Sequence, residues 1–234
     1  LFGFNDHGAS LSAIIQIGSV FAIIWYFRKN IFYSKNRNLT QRYHLFISNR
    51  LCKSIVIGTI PICFVGAIIK IFFPEFYDLF LRSNLSIGLV SLLMALIMSC
   101  AEYSSNKFTT INNHKYRSSL YIGIAQAFAI IPGVSRSGAT ISMALLSGWE
   151  RRDAAKFSFL LGIPSISLIA FVEFLSSINQ VPVFPFLPLL VGLCTTFFSS
   201  LFAIHLLIKF ISSNGLKIFI YYRLLFGILI LLNL

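Results

Sequence analysis

Residues 119–149 read SLYIGIAQAFAIIPGVSRSGATISMALLSGW, an apolar stretch with the polar run PGVSRSG at 132–138 in its middle. Arg117 precedes the stretch and Arg151 follows it, so both ends lie next to basic residues, which mark the cytoplasmic side of a membrane protein. The first half, Ser119 to Ile131, would form a helix only about 20 Å long, which cannot cross roughly 30 Å of hydrocarbon. Because proline and glycine break the helix between the two halves, we predict a re-entrant helical hairpin over 119–149 whose polar tip lies at membrane depth.

The composition excludes a water-soluble domain. Of the 234 residues, 57% are hydrophobic, 25 are Phe and only 11% are charged, and the mean hydropathy is +0.83. A soluble fold would therefore expose a very large apolar surface. We predict an all-α polytopic membrane protein, with about six transmembrane helices besides the hairpin, in a single integral membrane domain over residues 1–234. The predicted spans are Leu11–Phe27, Ile55–Phe73, Leu85–Ala101, Phe157–Ser176, Phe186–Lys209 and Leu216–Leu234.

Membrane orientation explains the basic residues better than nucleic-acid binding does. The net charge is +12, but Lys and Arg lie between the apolar stretches instead of forming one polar face. Seven of them fill the connection from Arg28 to Lys53, whereas the connection from Pro74 to Asn84 holds Glu75, Asp78 and only Arg82. The positive-inside rule assigns the first connection to the cytoplasm. Four cysteines without a CxxC pair predict neither a disulfide framework nor a metal site.

The hairpin tip has the residue types of an anion site. Irregular backbone at membrane depth must be buried in protein or line a water-filled cavity. Arg136 at that depth costs about 2.5 to 3.5 kcal/mol on insertion scales, so it predicts an ionic partner, and its planar guanidinium matches two phosphate oxygens. A helix that restarts near Ser137 or Gly138 offers unpaired N–H groups. With the hydroxyls of Ser135, Ser137 and Thr140, these groups favour a phosphate or a diphosphate.

A purely structural kink is the alternative. In that interpretation Ser137 caps a helix and Arg136 pairs with a carboxylate of another span. Few acidic residues suit this role, since Glu102 and Glu173 fall near span ends and the other five fall in loops or near the terminus.

The segments GIAQ at 123–126 and PGVSRSGAT at 132–140 resemble the second signature of the undecaprenyl-diphosphate phosphatase family, the bacitracin-resistance proteins. The segments IQIGS at 15–19 and FSFLLGIP at 157–164 support the resemblance, which covers the whole chain. The family has six spans and two re-entrant hairpins in inverted repeats. One hairpin is visible here, so the resemblance implies that the chain is N-terminally truncated and lacks the family's N-terminal hairpin.

The resemblance also implies an activity, hydrolysis of undecaprenyl diphosphate to undecaprenyl phosphate and inorganic phosphate. This reaction recycles the lipid carrier of cell-wall synthesis in the bacterial plasma membrane and confers bacitracin resistance. The implied cofactor is a divalent cation, Mg²⁺ or Ca²⁺, whose carboxylate ligands belong to the N-terminal hairpin of the family, and the chain alone is expected to lack part of the active site. The site residues implied are Arg136 and Ser135 as catalytic, and Ser137, Gly138, Thr140 and Gln126 as substrate-binding.

Two other functions fit the same residues. Re-entrant hairpins with helix N-termini facing an anion also occur in transporters, so a polyprenyl-phosphate flippase is the rival. A non-catalytic subunit that uses Arg136 to anchor a partner is the third. The predicted partners are the polyprenyl diphosphate lipid and the bilayer, without nucleic acid. The sequence leaves open whether the protein is a homo-oligomer and on which side the site opens.

Overall fold

The computed structural model describes residues 15–28, 49–72, 83–104, 108–177 and 186–232. Nearly all of this part is helical, and its β pairing is limited to one isolated bridge between Thr109 and Trp149. A short 3-10 turn, Phe128–Ile130, follows the fourth helix. The α-helices are α1 Ile17–Tyr26, α2 Asn49–Phe72, α3 Asn84–Tyr103, α4 Tyr116–Ala127, α5 Arg136–Leu146, α6 Arg151–Ser177, α7 Phe186–Asn214 and α8 Lys217–Leu232.

Four of these helices, α2, α3, α6 and α7, are long and apolar enough to cross a membrane. Many of their large apolar side chains are exposed, including Phe64 at 66% and Phe198 at 66%, as contact with lipid requires. The predicted all-α polytopic membrane protein is confirmed. The outer two predicted spans correspond to the shorter helices α1 and α8, and the 16 residues of α8 extend about 24 Å.

Helix boundaries differ from the prediction mainly at polar ends. Helix α2 begins at Asn49 rather than at Ile55, and α7 ends at Asn214 rather than at Lys209. Hydropathy defines where a chain is apolar, whereas backbone hydrogen bonding continues through the polar residues beyond the hydrocarbon.

The described contacts divide the chain into two compact units. Unit 1 comprises Leu1–Ile47 and Gly162–Leu207, and unit 2 comprises Ser48–Leu161 and Ile208–Leu234. Helices α2, α3, α4, α5 and α8 lie in unit 2. The single domain over residues 1–234 stays a prediction.

Small side chains form the described packing of unit 1. Gly18 of α1 lies so close to α7 that a Cβ atom there would come within 2.7 Å of the Leu193 carbonyl oxygen. At the residue that follows Gly18, the Oγ atoms of Ser19 and Ser200 are 2.8 Å apart. Small and hydroxyl residues let membrane helices approach closely and bond to each other, because lipid supplies no hydrophobic drive between helices.

Close helix crossings also organise unit 2. Helices α2 and α4 touch where a Cβ atom on Gly123 would overlap the Gly58 carbonyl oxygen. Helices α3 and α8 touch where a Cβ atom on Gly227 would lie 3.0 Å from the Gly88 carbonyl oxygen. Helix α3 also packs on α5, so both α4 and α5 contact another helix of this unit.

A helical hairpin is formed by the apolar stretch at residues 119–149. Helices α4 and α5 pack on each other and are joined by the 3-10 turn and residues 131–135. At its base, the Thr109 N–H donates to the Gly148 carbonyl at 2.9 Å, and the Glu150 N–H donates to the Thr109 carbonyl at 2.9 Å. The chain therefore enters and leaves the hairpin at the same end, as the basic flanks of the stretch indicate.

A buried histidine packs at this base. His114 is 3% exposed, and its ring lies 4.7 Å from the fully buried Trp149 ring, measured between centroids. Its Nε2 lies 2.6 Å from the Ser54 hydroxyl of α2, and its Nδ1 lies 2.7 Å from the Ile111 carbonyl oxygen. Burial lowers the pKa of His114 below its usual 6.5; the Ile111 hydrogen bond opposes this change and the Arg50 charge adds to it.

Glu102 links three segments of unit 2. The carboxylate is buried at the end of α3, where Oε1 pairs with the Arg151 guanidinium at the start of α6. Its Oε2 accepts the Leu216 N–H, at the turn between α7 and α8, at 3.0 Å. The Glu102 carboxylate therefore pairs with Arg151 through one oxygen and accepts a hydrogen bond from the N–H group that precedes α8 through the other. Sequence reasoning considered Glu102 only as a mate for Arg136 and missed these partners.

We predict that Glu102→Gln lowers the thermal-unfolding midpoint of the purified protein by several degrees. The amide turns a donor toward either Arg151 or the Leu216 N–H, and a hydrogen bond to a charged group contributes roughly 2 kcal/mol. Glu150→Gln, at an exposed position near the same end of α6, is the matched control and should leave the midpoint unchanged. Equal midpoints for Glu102→Gln and the wild type would contradict the assigned link.

We also predict that acidification destabilises the protein through His114. Its pKa is lower in the folded state, so its contribution to stability is fully present above about pH 6.5 and is lost as the pH falls through the folded value. The thermal midpoint of His114→Gln should therefore decrease less than that of the wild type between pH 7 and pH 5. His205→Gln, at an exposed position of α7, should retain the wild-type dependence. An unchanged pH dependence in His114→Gln would exclude this contribution.

Candidate functional site

The turn of the hairpin packs against α3. Gly133 has a φ of +94°, which favours glycine. A Cβ atom at this position would also lie 2.9 Å from the Ile87 carbonyl oxygen and 3.2 Å from the Val90 Cβ. Within the turn, the Val134 N–H donates to the Ile131 carbonyl at 3.1 Å. Both the backbone conformation and the space at the turn therefore require glycine.

Ser135 caps the helix that leaves the turn. Helix α5 begins at Arg136, and the Ser135 Oγ accepts the Gly138 N–H at 3.2 Å. The prediction of a restart near Ser137 or Gly138 is late by one or two residues, because this cap lets the helix begin directly after Ser135. One N–H group that was expected to meet an anion thus already has a partner in the Ser135 hydroxyl.

Three predicted site residues lie together at this helix start. Arg136 is the first residue of α5, the Ser135 and Ser137 Oγ atoms are 3.5 Å apart, and all three side chains are partly exposed. The guanidinium charge and the positive end of the helix dipole act at the same end of α5. Hydroxyl donors, a guanidinium and a helix N-terminus are the groups that bind phosphate oxygens.

Gly138, Thr140 and Gln126 are fully or nearly fully buried. The Thr140 Oγ1 lies 2.6 Å from the Ser158 Oγ of α6 and donates to backbone carbonyls of its own helix. The Gln126 Nε2 lies 3.5 Å from the Gly58 carbonyl oxygen, at the crossing of α2 and α4. In the described structure these two side chains connect helices, and their roles in substrate binding stay predictions.

Arg223 is a residue of this region that the sequence analysis missed. It lies within the apolar helix α8, and its Nη1 donates to the Gly133 carbonyl oxygen at 2.8 Å. An arginine inside an apolar span was the available signal, since such a residue is costly and is usually retained for function.

The described residues around the turn fit an anion and not a metal ion. No group of three or more His, Cys, Asp or Glu side chains that could bind a metal occurs in the described ranges. The turn offers hydroxyls and a guanidinium, and a guanidinium repels a cation. Mg²⁺ and Ca²⁺ prefer carboxylate oxygens.

The fold defines a multi-pass membrane protein, and the turn of its helical hairpin is basic and rich in hydroxyl groups. The model of the bacitracin resistance protein BacA family matches residues 1–229, and the chain belongs to this family. It is 70% identical over 234 residues to an undecaprenyl-diphosphatase of Prochlorococcus marinus subsp. pastoris (strain CCMP1986 / NIES-2087 / MED4), with 100% of this chain and 88% of the relative covered. It is 42% identical to the protein of the same name from strain MIT 9313, with 99% and 78% covered.

We predict that Gly133→Ala destabilises the protein and that Gly66→Ala does not. Alanine at 133 meets the Ile87 carbonyl oxygen and an unfavourable φ, whereas the nearest atom to a Cβ on Gly66 of α2 is Ile130 Cδ1 at 3.7 Å, an ordinary contact. In a helix interior, replacing glycine with alanine also stabilises the helix by up to about 1 kcal/mol. Thermal midpoints of the two variants in detergent provide the measurement. A stable Gly133→Ala protein would show that the turn lies elsewhere relative to α3.

Proposed function

We propose that this protein hydrolyses undecaprenyl diphosphate to undecaprenyl phosphate and inorganic phosphate, and so recycles the lipid carrier of cell-wall synthesis in the bacterial plasma membrane. The membership of the family and the name of its relatives support this reaction. The observation that carries the chemistry is the clustering of Arg136, Ser135 and Ser137 at the start of α5. The homo-oligomer considered from the sequence is compatible with this proposal but contributes nothing to it.

The proposed site acts on the terminal phosphoryl group. As the bond from the bridging oxygen to the terminal phosphorus breaks, negative charge develops on the leaving oxygen of the lipid monophosphate, and water supplies the oxygen of the inorganic phosphate. The Arg136 guanidinium would stabilise charge on the phosphoryl oxygens, and the N-terminus of α5 would add the positive end of its dipole. The Ser135 and Ser137 hydroxyls would donate to the same oxygens. The prenyl tail would lie along the apolar surfaces of the spans.

We propose in addition that turnover needs a divalent cation, Mg²⁺ or Ca²⁺, as the family resemblance implies. The described residues at the turn do not fit such an ion, because none of them is a carboxylate. The residue that activates the attacking water is likewise not among the groups described at the turn.

The function is tested by measuring phosphate release from a C55 or shorter prenyl diphosphate by the purified full-length protein, with and without Mg²⁺ or Ca²⁺. Release that depends on the metal would support both parts of the proposal, and release without metal would retain the hydrolase and overturn the cation requirement. Binding of the lipid without release would overturn the hydrolase and favour the flippase.

We predict that Arg136→Ala lowers the turnover number by at least about 100-fold, the usual effect of removing one group that stabilises transition-state charge. Arg152→Ala is the control, since this arginine is exposed and lies in the first turn of α6. The control should keep wild-type turnover. Near-normal phosphate release by Arg136→Ala, with the protein still folded, would overturn the assignment of the site.

A further inference from the structure

Arg223 lies within the apolar sequence KIFIYYRLLFGILILL of α8. It is six positions, about 9 Å along the helix axis, from Lys217 at the start of the helix. A charged group at such a position is costly in a membrane, because hydrocarbon solvates it poorly. The position therefore requires a role that an apolar residue cannot fill.

Arg223 is held in place by one hydrogen bond of its backbone and one of its side chain. Its carbonyl oxygen accepts the Ser91 hydroxyl of α3 at 3.1 Å. Its guanidinium donates to the Gly133 carbonyl oxygen at 2.8 Å. Gly133 also packs against Ile87 of α3. Each of Arg223, α3 and the turn therefore contacts the other two.

The Gly133 carbonyl is a sensitive point of the turn. Gly133 has a positive φ, and the peptide that follows it leads directly to Val134 and to the cap residue Ser135. The rotation of this peptide sets the path of the backbone into Ser135 and Arg136. A donor on Gly133 O therefore fixes the direction in which both site residues leave the turn, and a change of about 1 Å in such a position lowers rates on the order of 100-fold.

We propose that Arg223 is a positioning residue for the phosphatase reaction, which acts by binding the Gly133 carbonyl and thereby orienting Ser135 and Arg136. The inference rests on the proposed function. Lysine is the informative replacement, because an ammonium also donates to a carbonyl, although without the planar geometry of arginine.

The test compares Arg223→Ala, Arg223→Lys and the control Lys217→Ala, at an exposed position of the same helix. In the phosphate-release assay, Arg223→Ala should lower kcat on the order of 100-fold while KM stays within about threefold. Arg223→Lys should recover part of kcat, and Lys217→Ala should match the wild type. The inhibition constant of inorganic phosphate should rise in Arg223→Ala by much less than kcat falls, and it should not change in Lys217→Ala.

Three results would overturn the proposal. One is a normal kcat in Arg223→Ala. The second is an equal loss in the alanine and lysine variants together with a lower thermal midpoint in both, which indicates a structural role alone. The third is a rise in the phosphate inhibition constant as large as the loss in kcat, which indicates direct contact with the substrate. If the alanine variant does not fold, the lysine variant decides. A partly reduced kcat at a normal thermal midpoint supports the proposal, whereas a reduced kcat with a lower thermal midpoint indicates a structural role alone and overturns it.

A readout independent of activity separates this inference from the proposed function. Hydrogen–deuterium exchange of the peptide covering residues 131–138 should be faster in Arg223→Ala than in the wild type and unchanged in Lys217→Ala. Faster exchange in a protein whose wild type releases no phosphate would retain the role of Arg223 in the turn and overturn only the phosphatase. Unchanged exchange would overturn the positioning role itself.

Discussion

In the predicted re-entrant hairpin, the polar backbone groups of the turn must find hydrogen-bond partners within the protein, because lipid offers none. Three of the hydrogen bonds described at the turn show how this need is met. Val134 bonds back to Ile131, Gly138 bonds to the Ser135 hydroxyl, and the Gly133 carbonyl receives the Arg223 guanidinium. The first two are local, whereas the third comes from the last helix. The turn therefore depends on α8 as well as on its own sequence.

The same bonds create the chemistry of the site. A helix that starts abruptly at Arg136 has its positive end beside a guanidinium and two hydroxyls. An uninterrupted span would have consumed its N–H groups in the helix and left no site for an anion. Breaking the helix thus gives up backbone hydrogen bonds but leaves the donor groups that the proposed phosphate site uses. The close contacts of α2 with α4 and of α3 with α8 supply the packing that supports the break.

The sequence was informative where local physics decides. Pro132 and Gly133 end one helix, and the short apolar halves predict two short helices that the structure describes as α4 and α5. Long apolar runs likewise predict the four long helices. Arg136, Ser135 and Ser137 are found together because they are neighbours in sequence, so their clustering needed no tertiary information.

Tertiary partners were beyond the sequence. Nothing local indicates that Glu102 bonds across to Leu216, that Thr140 meets Ser158, or that Gln126 lies against Gly58. Such pairs depend on which helices are neighbours, and apolar runs of similar composition do not specify that. Arg223 differs, because its mid-span charge was visible, and only its partner at the turn required the structure.

The central claim is that the diphosphate group binds at the start of α5. The most direct measurement is hydrogen–deuterium exchange of the purified protein with and without a non-hydrolysable prenyl diphosphate analogue whose bridging oxygen is replaced by a methylene group. The account predicts slower exchange in the peptide covering residues 131–140 when the analogue is bound, with no change in the peptide of α1. Bound analogue with unchanged exchange at residues 131–140 would contradict it.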